Sequence, residues 1–131
     1  MIVDSSALVA IVLGEADAER YSGALHDAAR PRVSAATFVE TVMVIDGRGD
    51  PAASRRLDRL IDRYPIAIAP FTERQARLAR EAFRDYGRRS GHPARLNLGD
   101  CFSYALAVDS GEPLLYQGDD FTHTDVRRAL P

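Results

Sequence analysis

The sequence predicts an α/β fold in which a short parallel sheet is covered by helices on both faces. Short apolar segments alternate with longer helical segments along the chain, which is typical of such sheets. The chain has 131 residues, of which 46% are hydrophobic, so it is long enough to bury one core. No linker or internal repeat divides it. Residues 1–131 are therefore expected to form a single domain.

Four short segments are predicted to be strands. Ile2 and Val3 form the first, and the chain runs from them directly into Asp4. Residues 66–69 are apolar and partly β-branched, so they are predicted to form a buried strand. The other two predicted strands are residues 32–33 and 113–116.

The helices predicted between these strands are residues 6–13, 17–29, 35–47, 51–64, 72–86 and 100–108. Ser34 and Thr72 have the hydroxyl groups that are favoured at helix N-termini. Phe83 is expected to face the core because it lies at helical spacing from the alanines before it. A polar loop, residues 87–99, precedes Asp100, and a polar tail follows the last strand.

The composition excludes several kinds of site. All 17 cationic residues are arginine, so a phosphate-binding loop with its lysine and a Schiff-base lysine are both excluded. The single cysteine, Cys101, excludes an intramolecular disulfide and a cysteine-based zinc cage, and it is expected to be a small buried residue. No signal peptide or membrane-spanning run is recognised. A cytoplasmic protein is therefore expected.

Carboxylates follow the strands at several points. Asp4 follows the first strand, Asp100 opens a helix, and Asp119 and Asp120 follow the last strand. Strand C-termini and helix N-termini meet at one edge of a parallel sheet, so these acids are expected to converge. Glu40 lies inside the most apolar helix, where a carboxylate is costly unless it is paired or binds a cation.

Each acid alone has a structural explanation, such as capping a helix or interacting with its dipole. Together, with no lysine to offset them, they predict a divalent cation. Oxygen ligands without a Cys–His cluster favour Mg²⁺ or Mn²⁺ over Zn²⁺. Such a site suits the hydrolysis of phosphodiester bonds. No serine–histidine grouping competes with it, and Ser6 is interpreted as supporting Asp4 or capping the following helix.

Four segments of the chain resemble the acidic motifs of PIN-domain ribonucleases, and most closely those of the VapC toxins of bacterial toxin–antitoxin pairs. The segments are residues 1–8 (MIVDSSAL), 38–40 (FVE), 97–101 (NLGDC) and 118–121 (GDDF). The resemblance spans nearly the whole chain, with the motifs in order. The chain departs from the usual pattern at Ser5, where threonine is more frequent, but a hydroxyl group is retained.

The resemblance implies a PIN-like three-layer fold with a central parallel sheet of four to five strands. It also implies an endoribonuclease that depends on Mg²⁺ or Mn²⁺. By position, Asp4 and Asp100 would be the principal metal ligands, and Glu40 would complete the site or act through a water. Asp119 is expected to be the fourth catalytic acid, with Asp120 beside it as a further metal ligand.

The resemblance further implies partners. They are a cognate VapB-type antitoxin that covers the acidic groove, an RNA substrate (tRNA, rRNA or mRNA), and a second copy of the chain in a homodimer. DNA would be bound only indirectly, through the antitoxin. No membrane contact is expected.

Arg88, Arg89, His92 and Arg95 lie in the polar loop before Asp100 and are candidates for contacting the RNA backbone. Phosphate contacts of this kind give affinity without sequence readout. The alternative is an ordinary solvated surface loop.

Two other functions remain open from the sequence. One is a different Mg²⁺-dependent phosphohydrolase. The haloacid-dehalogenase type requires a second aspartate where this chain has Ser6, which weighs against it. The other is a PIN-like module of minor catalytic activity that acts mainly as the partner of a DNA-binding antitoxin.

Overall fold

The computed structural model describes all residues, 1–131, and consists of a parallel sheet between helices. The strands are β1 (Ile2–Val3), β2 (Arg32–Ser34), β3 (Ala67–Ala69) and β4 (Leu114–Leu115). The helices are α1 (Ser5–Leu13), α2 (Ala18–Asp27), α3 (Ala35–Asp46), α4 (Pro51–Arg63), α5 (Glu73–Tyr86) and α6 (Leu98–Ser110). The strand order is β3-β2-β1-β4, and every pairing is parallel. The predicted α/β fold is confirmed.

β1 is one of the two inner strands, and its two residues face opposite sides of the sheet. Val3 belongs to the core formed with α1–α4, and Ile2 belongs to the core formed with α5 and α6. Both side chains are fully buried. The next residue, Asp4, therefore leaves the sheet at its carboxyl edge, between the two layers of helices.

Two predictions of burial were wrong. Residues 66–69 were expected to form a buried strand, but β3 lies at the edge of the sheet and pairs only with β2. Ile68 is 47% exposed as a result, and Ile66, just before the strand, is the buried residue. Phe83 is 46% exposed because the core-facing side of α5 is formed by the smaller Ala79 and Ala82.

The helix that contains Asp100 begins two residues earlier than expected, at Leu98. Its N-cap is Asn97, whose side chain accepts a hydrogen bond from the Asp100 N–H. The Asp100 carboxylate in turn accepts one from the Asn97 N–H, which completes a capping box. Asp100 is thus the third residue of α6, and its side chain is fixed on the first turn.

The C-terminal residues are more than a polar tail. The Leu114 N–H donates to the Arg127 carbonyl, and the Ala129 N–H donates to the Leu114 carbonyl, each at 2.9 Å. Residues 116–127 therefore form a loop with both ends on β4, which we call the β4 loop. Phe121, inside this loop, is only 2% exposed. None of the helices combines the length and the apolar character needed to cross a membrane.

Candidate active site at the carboxyl edge of the sheet

Asp4 uses its two carboxylate oxygens differently. As the N-cap of α1, it accepts hydrogen bonds at Oδ2 from the Ser6 N–H (2.9 Å) and the Ser6 hydroxyl (2.6 Å). Oδ1 is buried and has no hydrogen-bond partner. A buried carboxylate oxygen left unpaired is costly and calls for an explanation, such as an ion that the oxygen can bind. The capping role and a ligand role are therefore compatible.

Ser6 connects two strands at this edge. Its hydroxyl donates to Asp4 and accepts from the Gln117 N–H at 3.0 Å, just beyond β4. The Asp4 N–H also donates to the Leu115 carbonyl at 2.9 Å. The orientation of the Asp4 carboxylate is thus determined from both sides.

Glu40 is half-buried and reaches the same edge from α3. The Ser5 hydroxyl donates to Glu40 Oε1 at 3.1 Å. The carboxylate lies against Gly99 on α6, where a Cβ atom would overlap it and would lie 2.6 Å from Oε1. Burial, and then the negative charge of Asp4, raise the pKa of Glu40 above its ordinary value, against the effect of the Ser5 hydrogen bond.

Asp100 occupies the most strongly perturbed position. The Asn97 N–H donates to its Oδ2 at 2.8 Å. Burial raises the pKa of Asp100 to about 7, and the negative charges of Asp4, Asp120 and Glu40 contribute in the same direction. Three elements and the β4 loop therefore bring carboxylates close enough to repel one another.

The β4 loop carries two adjacent acids. Asp119 and Asp120 are both exposed. The negative charge of Asp120 contributes to the raised pKa of Asp100, after burial and the charge of Asp4. This electrostatic effect indicates that Asp120 lies near Asp100.

Two buried hydroxyls align the helices that carry Glu40 and Asp100. Thr37 of α3 and Ser103 of α6 are fully buried, and their side-chain oxygens are hydrogen-bonded at 3.1 Å. Each lies three residues from an acid on its own helix. Sequence reasoning missed these two residues and the Ser5 contact. The signal was a small polar residue one helical turn from an acid, on an otherwise apolar helix face.

The polar loop before α6 divides into two kinds of residue. Arg88, Arg89 and Arg95 are exposed. His92 packs edge-on against Tyr86, with ring centroids 4.9 Å apart, and its Nδ1 accepts from the Ala94 N–H. His92 therefore shapes the loop, while the three arginines extend into solvent.

The chemistry of the edge is that of a hard-cation site. Its donors are carboxylate oxygens, and the only cationic side chains in the protein besides histidine are arginines. In this structure no three His, Cys, Asp or Glu side chains converge closely enough to enclose an ion. The unpaired Asp4 oxygen and the repulsion around Asp100 nonetheless fit Mg²⁺ or Mn²⁺, which prefer oxygen ligands.

Comparison with known proteins gives consistent results. The sequence matches the PIN domain family over residues 1–127. It is 56% identical over 130 residues to ribonuclease VapC28 of Mycobacterium tuberculosis, covering 99% of this chain and 98% of that protein. It is 55% identical over 129 residues to ribonuclease VapC42 of the same organism, covering 98% of each.

A similar fold is found in a solved structure. The crystal structure of Mycobacterium tuberculosis VapC20, described as a sarcin-ricin loop cleaving toxin, superposes with a TM-score of 0.73. The match covers 96% of this chain and 98% of that chain at 19% sequence identity. At this identity the likeness supports the three-layer fold and its topology.

Proposed function

The chain belongs to the PIN-domain family, as a VapC ribonuclease of a toxin–antitoxin pair, and from that premise we propose that it is an endoribonuclease dependent on Mg²⁺ or Mn²⁺. The observation that supports metal dependence most directly is the buried, unpaired Oδ1 of Asp4. It lies near Asp100, whose pKa is raised to about 7 by burial and, to a smaller extent, by the negative charges of Asp4, Asp120 and Glu40. A divalent cation would satisfy the oxygen and offset the repulsion.

The proposed ligands are Asp4, Asp100, Glu40 and Asp120. A bound divalent cation would supply positive charge that polarises the scissile phosphodiester. It would also lower the pKa of a water molecule, so that hydroxide is available to attack the phosphorus. The chain's own contribution is orientation. Ser6 keeps Asp4 Oδ1 free, Ser5 and Gly99 position Glu40, and Asn97 fixes Asp100. These partners orient each ligand side chain before the cation binds.

We place Asp120, rather than Asp119, as the fourth acid of the site. The support is electrostatic, because the charge of Asp120 is among the largest contributions to the raised pKa of Asp100. Asp119→Asn is the matched control, since it removes the same charge from the adjacent residue of the same loop. Asp120→Asn is expected to lose most of the cleavage activity, and Asp119→Asn is expected to keep most of it.

The test of the proposed function is RNA cleavage by protein freed of any antitoxin, with Mg²⁺, with Mn²⁺ and with EDTA. Cleavage is expected only with metal, and Asp4→Ala and Asp100→Asn are expected to abolish it. Asp62→Asn, an exposed position on α4, serves as a charge-matched control. If clean wild-type protein binds an antitoxin but cuts no RNA with either metal, the role of a structural partner is favoured instead.

The proposed partners follow from the same site. An RNA substrate, whether tRNA, rRNA or mRNA, would be held by its phosphates through Arg88, Arg89 and Arg95, which are exposed. A VapB-type antitoxin would inhibit by covering the acidic edge, and DNA would be bound only through it. We propose a cytoplasmic location, since such an RNA substrate is found there.

We also propose a homodimer through an apolar patch formed by α3 and α6. Its large exposed residues are Val39, Met43 and Val44 of α3 and Leu98 of α6. They surround a groove of about 400 Å³ that is also lined by Phe102. Contiguous apolar surface of this kind is typical of a protein–protein contact.

A further inference from the structure

The β4 loop is a closed segment that carries two acids at its exposed tip. Its ends are joined through the hydrogen bonds of Leu114 with Arg127 and Ala129. Gly118 turns the chain at the tip with a φ of +88°, and Asp119 and Asp120 follow it. Closed ends fix the base of a loop, but they do not by themselves fix the direction in which its tip points.

The inner side of the loop is held by aromatic packing against its own first residue, next to β4. Phe121 is buried against Tyr116, with ring centroids 5.0 Å apart, and Arg128 lies over the same Tyr116 ring at 4.8 Å. These contacts hold the middle of the loop against its first residue. Phe121 also belongs to the buried core cluster that includes Cys101 and Ala105 of α6, so apolar packing anchors the inner side of the loop but not its exposed tip.

The side-chain hydrogen bond between the loop and α6 joins Tyr104 and Asp125. The Tyr104 hydroxyl donates to Asp125 Oδ1 at 2.7 Å. Tyr104 is 7% exposed, so its ring is fixed by the core, and Asp125 lies on the surface. Tyr104 follows Asp100 by four residues, which puts both side chains on one face of α6, one turn apart.

We propose that Tyr104 and Asp125 are positioning residues that hold the β4 loop against α6, so that Asp120 faces Asp100 in the divalent-cation site. The identity of that site rests on the function proposed above. Asp125 follows Asp120 by five residues, so fixing Asp125 restricts the tip of the loop. In this proposal, neither Tyr104 nor Asp125 contacts the metal or the RNA.

Three substitutions separate this role from general packing. Tyr104→Phe removes only the hydroxyl, and Asp125→Ala removes the acceptor. Asp125→Asn keeps an oxygen at the accepting position and removes the charge. Tyr21→Phe, which alters another buried tyrosine on α2, is the control for loss of a core hydroxyl.

Two measurements are needed, one of which requires no metal. The first is the dissociation constant for Mn²⁺ alone, by calorimetry. The second is amide hydrogen exchange of residues 117–124 in metal-free protein. Tyr104→Phe and Asp125→Ala are each expected to weaken Mn²⁺ binding about 10-fold or more, as when outer hydrogen-bond partners of metal ligands are removed. Both should accelerate exchange in the loop, while Asp125→Asn and Tyr21→Phe stay close to wild type.

The double variant Tyr104→Phe/Asp125→Ala is expected to match the single variants in Mn²⁺ affinity and in the exchange rate of the loop, since both substitutions remove the same hydrogen bond. The proposal is overturned if both single variants bind Mn²⁺ and exchange like wild type, or if Asp125→Asn is as damaging as Asp125→Ala. Because Asp125 is exposed, its variants provide the test even if Tyr104→Phe does not fold.

The outcomes also distinguish this proposal from the proposed function. If Asp120→Asn loses Mn²⁺ binding and the Tyr104 and Asp125 variants retain it, the metal site stands and the positioning role is wrong. If wild-type protein binds no Mn²⁺, the metal site itself is wrong, and the positioning role is overturned with it.

Discussion

Asp4 divides its carboxylate between the fold and the site. One oxygen caps α1 through Ser6, and the other is buried without a partner. The same division appears at Asp100, whose carboxylate completes the capping box of α6 while burial, and then the charges of nearby acids, raise its pKa. Helix caps hold short side chains in one rotamer, so both aspartates are oriented before any ligand binds.

Gly99→Ala is expected to separate stability from metal binding. Gly99 lies in the first turn of α6 without a positive φ, and alanine is favoured over glycine in helices by about 1 kcal/mol. The added Cβ would displace the Glu40 carboxylate, which is the end of a flexible side chain. We expect an unchanged or higher melting temperature together with weaker Mn²⁺ binding by calorimetry. Unchanged affinity would show that Glu40 does not need its position against Gly99.

The raised pKa of Asp100 predicts a pH dependence of stability for the metal-free protein. In the folded state this group keeps its proton up to about pH 7, whereas in the unfolded chain it loses it near about pH 4. The stability that Asp100 contributes is therefore fully present below about pH 4 and is lost as the pH rises through about 7.

Urea unfolding in EDTA at several pH values measures this effect. Wild type is expected to lose stability relative to Asp100→Asn between pH 4 and 7, by on the order of 2 kcal/mol, less than the full shift would give because the edge is partly solvated. If the free energies of unfolding of the two proteins depended on pH in the same way, the raised pKa of Asp100 in the folded state would be contradicted.

At the scale of elements, α6 carries most of what defines the site. It begins with the capping box, continues with Asp100 and Ser103, and presents Tyr104 one turn later. α3 is aligned with it through Thr37, so Glu40 and Asp100 approach each other from adjacent helices. A buried hydroxyl pair specifies one alignment of two otherwise apolar faces more strictly than apolar contacts do.

Ser103→Ala is expected to lower the free energy of unfolding by about 1–3 kcal/mol, because it leaves the buried Thr37 hydroxyl without its Ser103 partner. The double variant Thr37→Val/Ser103→Ala should cost less than the sum of the single variants, since neither group is then left unpaired. Chemical denaturation of the four proteins measures the coupling. Strict additivity would mean that the two hydroxyls do not act as a pair.

At the scale of the whole molecule, the sequence predicted the alternation of strands and helices. It did not predict which strands are neighbours in the sheet. Ile2 and Val3 were predicted as a strand because both are apolar, and as an inner strand they are fully buried. The segment around Ile68 is equally apolar but lies at an edge. Local sequence does not encode strand order, which depends on contacts between distant segments.

The acidic site shows the same limit on what the sequence can predict. That several acids meet at one edge followed from the rule for parallel sheets. The contact of Ser5 with Glu40 spans 35 residues and required the structure. Which of Asp119 and Asp120 faces the site depends on the turn at Gly118 and the burial of Phe121, and neither is a property of the two acids.

The apolar patch leads to a prediction about assembly. Met43 is 70% exposed at the centre of α3's outer face, so Met43→Glu is expected to convert the proposed homodimer to a monomer. Light scattering after size-exclusion chromatography measures the mass, and Met43→Leu is the conservative control. Wild-type protein that is monomeric at about 100 μM, well above the micromolar range of moderate affinity, would exclude this interface.

Glu40 and Gly99 line the same groove as Val39, Met43 and Leu98. The surface proposed for self-association therefore continues without a break into the acidic edge. Substitutions in this groove are expected to be pleiotropic, because they would change both the self-association of the protein and its catalytic activity. After a gene duplication, substitutions that prevent the two paralogous proteins from forming a mixed dimer would also alter catalysis. Dimer specificity and catalytic activity would therefore evolve together.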